Sequence, residues 1–116
     1  MEWPPTGTET ARDELFRALA DGRRRRVLAH LRTEGRTIPV EQIADYVAMA
    51  EAAAGGERVS RHAVETTLYH VHLPKLVDSG LAEWADPDRR AAVRVTRLGE
   101  RLPTALPWLP ADWLDG

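Results

Sequence analysis

Cysteine is missing from this chain of 116 residues. Its absence excludes disulfides, thiolate metal sites and thiol nucleophiles. Long apolar runs are missing too, since none approaches the roughly 20 residues that a membrane-spanning helix needs. The first residues have neither the basic start nor the apolar core of a signal peptide. These absences predict a cytoplasmic protein with no membrane partner.

The sequence also lacks the short motifs of enzymes and cofactor-binding proteins. It contains no glycine-rich phosphate loop, no nucleophile motif and no His-Glu metal pattern. Asp86 and Asp88 lie in a polar turn where no pocket is expected. His62, His70 and His72 point in different directions from a helix, so they do not predict a metal site. We therefore predict no catalytic residue, no metal and no cofactor.

Lysine is almost absent, because Lys75 is the only lysine among 16 basic residues. The arginine excess has two readings: a GC-rich genome, or contacts to phosphates and base edges, which the arginine fork suits. The net charge of −2 excludes a generic polycation. Residues 12–36 carry a local charge of +4, residues 37–57 of −4 and residues 58–101 of +2. This alternation favours a protein with one basic face.

Apolar periodicity and helix-stop residues predict four helices and a hairpin. The predicted helices cover residues 12–20, 22–34, 40–53 and 60–79, with Thr37-Ile38-Pro39 as a short extended piece. The predicted strands, 81–85 and 92–96, are joined by a polar turn at 86–90, and a last helical turn covers 98–102. Asp21 and Ser60 are predicted N-caps, and Gly35 is a predicted helix end.

These elements predict a mainly α fold with a small β-hairpin, an α+β class. Their order is that of a winged helix-turn-helix, whereas a plain helical bundle would not need the hairpin. We place the domain at residues 12–102, between a flexible lead of residues 1–11 and a Pro/Trp-rich tail of residues 103–116.

Two stretches resemble a known class of regulators. LFRALADGRRRRVLAHL, residues 15–31, resembles the opening helices of arsenic-repressor-like winged-helix regulators. HLPKLVDSGLAEW, residues 72–84, is similar to the end of their recognition helix and the start of the wing. More narrowly, LYHVHLPKL together with RRRRVL resembles a family of small, largely uncharacterised haloarchaeal winged-helix proteins. The resemblance covers about residues 14–101 and implies an archaeal, DNA-binding transcription regulator.

The chain departs from that pattern in two places. The segment AEAAAGGERV, before the fourth helix, is longer than the tight turn of a typical helix-turn-helix. The cysteine-bearing metal-sensing motif of arsenic-repressor relatives is absent. The first departure affects the docking geometry, and the second removes the obvious effector.

The predicted DNA contacts fall into two groups. Thr66, Thr67 and His70 lie on one short, uncharged arc of the fourth helix and are predicted to read bases. The residues predicted to hold phosphates or work the wing are Arg23, Arg25, Arg26, Arg61, Lys75, Arg89, Arg90 and Arg94. For the arginine quartet 23–26 and for the turn, an ordinary solvated surface is the alternative.

Three further features concern the fourth helix and the tail. Pro74 is predicted to bend the helix, either simply to wrap the core or to orient His70 into a groove. His72 is predicted to be a buried, hydrogen-bonded structural residue. The tail residues Trp108, Leu109, Trp113 and Leu114 would cover the domain itself, form a homodimer interface or recruit a partner.

Two functions follow as hypotheses. The first is a homodimeric, sequence-specific regulator that binds double-stranded DNA with the helix 60–79 and the wing 86–91. The second is a winged-helix module that binds a protein partner through its acidic third helix or its tail and does not read DNA.

Overall fold

The structure is a computed structural model that describes residues 9–56 and 58–102, and for residues 9–12 the backbone alone. Its helices are α1 (Glu9–Leu19), α2 (Gly22–Glu34), α3 (Val40–Ala53), α4 (Arg61–Thr67), α5 (Leu73–Asp78) and α6 (Arg97–Arg101). Its strands are β1 (Ile38–Pro39), β2 (Ala82–Trp84) and β3 (Ala92–Val95). A π-helical turn, Leu68–His72, joins α4 to α5. The predicted α+β class is confirmed.

Helix α2 begins and ends at the predicted residues. The Asp21 side chain accepts hydrogen bonds from the amides of Arg23 and Arg24 and so caps the first turn. Gly35 ends the helix at φ 63°, and its amide donates to the Leu31 carbonyl at 3.0 Å. Helix α1, in contrast, begins at Glu9, earlier than predicted, since no glycine or proline follows Gly7 until α1 has ended.

The three strands form one antiparallel sheet in the order β1–β3–β2. Ile38 pairs with Val93, and Ala82 pairs with Val95, so β3 lies between the other two strands. The sequence predicted the hairpin of β2 and β3 but did not predict that β1 would complete a sheet with it. Ile38, Ala82, Val93 and Val95 are all buried, and this sheet face lies on the core.

The core joins all the helices to the sheet. Its largest fully buried side chains are aliphatic: Leu19, Leu28, Leu31, Ile38, Ile43, Leu68, Leu73, Leu76, Leu81, Leu102, Val27 and Val40. Thr96 links α6 to the sheet, since its hydroxyl donates to the Gly80 carbonyl at 2.5 Å and accepts from the Gly99 amide at 3.1 Å. Searched over the described residues, the chain has no helix that is long and apolar enough to cross a membrane.

Candidate functional site

The fourth predicted helix changes its hydrogen-bond register just before Pro74. The Leu73 amide donates to the Leu68 carbonyl, five residues back, and the π-helical turn Leu68–His72 results. Proline has no amide to donate and its ring crowds the preceding turn, so a locally wider turn relieves both problems. The predicted distortion at Pro74 is therefore present as one extra residue in the turn.

The extra residue rotates the two halves of the helix relative to each other. Val64 and Leu68 face the core in the first half, and His72, Leu73 and Leu76 do so in the second. A uniform 3.6-residue period through Leu68 would instead place Val71 on the apolar side. It is 41% exposed.

A cleft of about 380 Å³ lies between this helix and the β2–β3 hairpin. The helix contributes five side chains to its lining and the hairpin contributes two: His62, Glu65, Thr66, Tyr69 and His70, then Trp84 and Arg90. The Tyr69 and Trp84 rings stack with their centroids 6.2 Å apart and their planes 11° apart, which joins the two walls of the cleft. Thus Thr66, His70 and Arg90, three residues singled out from the sequence, line one cavity.

Thr67 lies apart from the other two residues predicted to read bases. Its hydroxyl accepts a hydrogen bond from Arg23 Nη1 at 2.9 Å and donates to the Val64 carbonyl at 2.9 Å. Thr66, by comparison, is exposed, and its hydroxyl donates to the His62 carbonyl at 3.0 Å. The three residues of the predicted arc are therefore divided. Thr66 and His70 line the cleft, whereas Thr67 contacts Arg23 of α2.

Arg23 is held by an acidic partner on α3. Its Nε and Nη2 atoms donate to the two oxygens of Glu51, each at 2.7 Å, in a fork-to-fork pair. The hydrogen bond from Arg23 lowers the pKa of the Glu51 carboxyl, and the same bond raises the pKa of Arg23. With Thr67 as third partner, Arg23 ties α2 to α3 and α4, so its predicted phosphate contact would have to break this pair.

Arg24 and His72 form a buried polar contact between α2 and the π-helical turn. The Arg24 guanidinium donates to the carbonyls of Ala18 and Arg17, at 2.6 and 3.1 Å, and so satisfies the end of α1. Its Nη1 lies 3.3 Å from His72 Nδ1. Because arginine has no acceptor, this contact requires a lone pair on Nδ1. The predicted role of His72 as a buried, hydrogen-bonded residue is confirmed.

Acid should destabilise the protein through His72. Burial lowers the pKa of its imidazole below the ordinary 6.5, Asp21 opposes this effect, and Arg24 and Arg23 add to it. As the pH falls below about 6.5, the unfolded chain binds a proton that the folded chain resists. The free energy of unfolding is therefore highest above that pH and decreases below it. The total decrease is about 1.4 kcal/mol for each unit by which the His72 pKa is lower in the folded than in the unfolded chain.

Urea unfolding between pH 7.5 and 5 measures this effect, and His72→Asn is the test variant because its side-chain oxygen can still accept from Arg24. Burial also lowers the pKa of His30, which stacks on Tyr46, so both chains should carry His30→Gln. We expect a smaller acid loss in the His72→Asn chain. Equal losses in the two chains would show that His72 is not the titrating group.

The other arginines of the predicted phosphate group differ in how freely they can move. Arg25 donates to the Leu19 carbonyl at 2.9 Å, while Arg26 is half-buried within the electrostatic reach of Glu51. Arg61 lies between Asp45 and Glu65, at 3.4 and 3.3 Å, with half of its side chain exposed. Arg94 pairs with Glu83 across the hairpin at 2.7 Å. Exposed pairs of this kind contribute little to stability and exchange partners readily.

Arg89 and Arg90 project from the tip of the hairpin. Both amides donate to the Asp86 carbonyl, at 3.2 and 2.9 Å, and the Asp86 side chain accepts from the Asp88 amide at 3.0 Å. Arg90 has φ 47°, in the left-handed region. Within residues 9–56 and 58–102 neither guanidinium has an ion-pair partner. The turn is thus built by Asp86 and leaves both cations available.

Two predicted features lie away from the cleft or beyond the described chain. Lys75 lines a separate cavity of about 170 Å³ between α1 and α5, with Glu14, Arg17 and Asp78 among its neighbours. The tail residues Trp108, Leu109, Trp113 and Leu114 lie outside the described residues. Among the residues that the structure describes, no three His, Asp or Glu side chains come together as metal ligands.

The sequence did not indicate four of the residues that line the cleft. Glu65 lies in α4 beside Thr66, while Tyr69 lies within the π-helical turn, so the side of the helix on which Tyr69 lies depends on that turn. Trp84 ends β2, and only the register of the hairpin brings it opposite Tyr69. His62 could have been found from the sequence, because it lies one helical turn before Thr66, as His70 lies one turn after it.

The fold and the cleft define a small α+β domain that is mainly helical. Its hairpin and its bent helix, residues 61–78, form the two walls of the cleft. Over residues 16–96 the chain matches the model of a family described as Domain of unknown function (DUF7344). This match spans well over half of the chain, so the protein belongs to the DUF7344 family. Neither the curated proteins nor the solved structures gave a match. The resemblance to arsenic-repressor-like regulators stays a prediction.

Proposed function

We propose that this protein is a winged helix-turn-helix transcription regulator that binds double-stranded DNA as a homodimer. The observation that carries the proposal is the cleft, in which a polar helix face with Glu65 on it lies opposite a hairpin tip whose two cations have no ion-pair partner among the described residues. In this proposal the helix of residues 61–78 enters the major groove and the hairpin tip contacts the neighbouring backbone or minor groove.

The order of the elements supports this assignment. Three helices precede the bent helix, and β1 pairs with the far strand of the hairpin, so the sheet holds the hairpin at a fixed angle beside the helix. The exposed residues Thr66 and His70 can approach base edges without charge repulsion. Arg89 and Arg90 supply the phosphate contacts that position the domain.

Replacing the base-reading side chains should change preference more than affinity. We expect His70→Ala and Thr66→Ala each to relax sequence preference at one or two base positions while binding to random duplex changes less than about threefold, since a base contact discriminates by about 1–3 kcal/mol. Competition binding with a set of single-base variants of the selected site measures this. Thr33→Ala, at an exposed position on α2, is the matched control. Equal weakening on all sequences would show that this is not the reading face.

The proposal is tested by selecting bound fragments from sheared genomic DNA with the purified full chain, then sequencing them. An enriched inverted repeat would support the regulator and give the half-site spacing of a dimer. No enrichment at low or high salt would reject direct DNA reading.

One observation favours a second function, a protein-interaction module. Met49 is 71% exposed and Val59 is 37% exposed, and both line an apolar surface where α3 ends and α4 is about to begin. In addition, Arg23 and Arg61 already have carboxylate partners. Retention on heparin or duplex DNA at modest salt separates the two functions, because the module should pass through both columns.

A further inference from the structure

Among the described residues that line the cleft, Glu65 is the one carboxylate, although a phosphate-binding surface should exclude negative charge. About a quarter of its side chain is exposed, 27%, and it lies between His62 and Tyr69 on the wall opposite the hairpin. It contributes to raising the pKa of the Tyr69 hydroxyl, after burial and ahead of Glu41, so its negative charge reaches a neighbouring residue of the cleft lining. A backbone phosphate would be repelled from this wall.

An ionised carboxylate accepts hydrogen bonds and donates none. It therefore favours a ligand that presents an amino group and disfavours one that presents a carbonyl or phosphate oxygen. In the major groove the amino groups are cytosine N4 and adenine N6, and a carboxylate accepting from cytosine N4 is a standard pairing. The other donors and acceptors of the wall, His62, Thr66 and His70, lie on the same exposed side of the helix.

The contact that Glu65 makes in the free protein can be exchanged. Arg61 Nη1 lies 3.3 Å from Glu65, and Arg61 Nε lies 3.4 Å from Asp45, so one arginine is shared between two carboxylates. Pairs this exposed contribute little. When a duplex approaches, Arg61 can turn to a phosphate, and the same movement leaves the Glu65 oxygens open to an amino group.

On these grounds we propose that Glu65 is a specificity-determining residue that selects an amino-bearing base, cytosine in the first place, at one position of the DNA site. The proposal rests on the proposed DNA-binding function and adds to it the chemistry of one base. It assigns Arg61 and Glu65 a joint role, in which the arginine binds backbone and the carboxylate reads sequence.

The test is selection from a pool of duplexes with a randomised core, using the full chain and reading the bound fraction by sequencing. For the wild type we expect one position per half-site with cytosine enriched about tenfold over the other bases. Glu65→Ala should abolish preference at that position alone. Glu65→Gln keeps the side-chain size and can bond both N6 and N7 of adenine, so it should shift that position towards adenine.

Glu34→Gln is the matched control, because Glu34 is also a partly exposed carboxylate 3.3 Å from an arginine, Arg36. Glu34 is the last residue of α2 and is not among the residues that line the cleft. Its base preferences should equal those of the wild type. If Glu65→Ala and Glu65→Gln give wild-type preferences, or raise binding equally at every sequence, Glu65 reads no base and the inference fails alone. If the wild type enriches adenine at the position that Glu65→Ala erases, the amino-group assignment holds with adenine as its base. If the wild type enriches nothing, the proposed function fails with it.

Discussion

Removing both cations at the hairpin tip should weaken DNA binding by about 10- to 100-fold at physiological salt. Arg89 and Arg90 have no ion-pair partner among the described residues, and the turn is built by Asp86 through backbone amides that alanine retains. Each phosphate contact contributes about 0.9 to the slope of log affinity against log salt. The double variant Arg89→Ala/Arg90→Ala should therefore lose about 1.8 from that slope.

Fluorescence anisotropy on one selected duplex, repeated at several salt concentrations, gives both quantities. Arg36→Ala/Arg101→Ala removes the same number of charges from exposed positions outside the cleft and should leave the slope almost unchanged. An unchanged slope in the Arg89→Ala/Arg90→Ala protein would remove the hairpin tip from the binding surface. Equal losses in both double variants would show that net charge alone drives the binding.

Gly99→Ala should destabilise the fold severely, although alanine is the better helix former. Gly99 is buried in α6, and a Cβ there would collide with the Leu81 carbonyl oxygen and lie 2.7 Å from Val95 Cγ2. The first of these atoms belongs to the backbone where β2 is about to begin, so no side-chain rotation can relieve the contact. Helix propensity favours alanine by about 1 kcal/mol, but overpacking of this kind costs about 1–3 kcal/mol or more.

Thermal unfolding followed by circular dichroism tests this. We expect a net loss of about 2 kcal/mol for Gly99→Ala, the upper end of the overpacking cost less the gain in helix propensity, which for a domain of this size lowers the midpoint by about 8–16 °C. Gly22→Ala is the matched control, because a Cβ at Gly22 would meet only the Arg25 side chain at 3.5 Å, an ordinary contact. A Gly99→Ala protein as stable as the wild type would mean that α6 is not packed against Leu81 in solution.

Local chemistry made some elements predictable from the sequence. Asp21 and Gly35 fix the two ends of α2, since a capping carboxylate and a left-handed glycine act within a few residues of where they stand. Pro74 likewise predicted a distortion of the helix in which it lies. Its form as a π-helical turn was not predictable, because the register is chosen by how Leu68, His72 and Leu73 fit the core.

Partners distant in sequence were not predictable. Arg23 finds Glu51 across 28 positions and Thr67 across 44, and four consecutive arginines carry no signal that tells which will be held. The candidate site was therefore predicted in part. Thr66, His70 and Arg90 meet in the cleft, whereas Thr67 and Arg23 are bound to each other and Lys75 lies beside a different cavity.

The sheet order described above has a consequence for self-association. The two outer strands have two and three residues, and Pro39, in β1, has no amide to offer a further strand. On the other side, Glu83 at the centre of β2 is exposed and paired with Arg94. Short edges that carry proline or charge are the usual protection against strand addition. A second copy would therefore have to associate through helix faces or terminal segments, and not by extending this sheet.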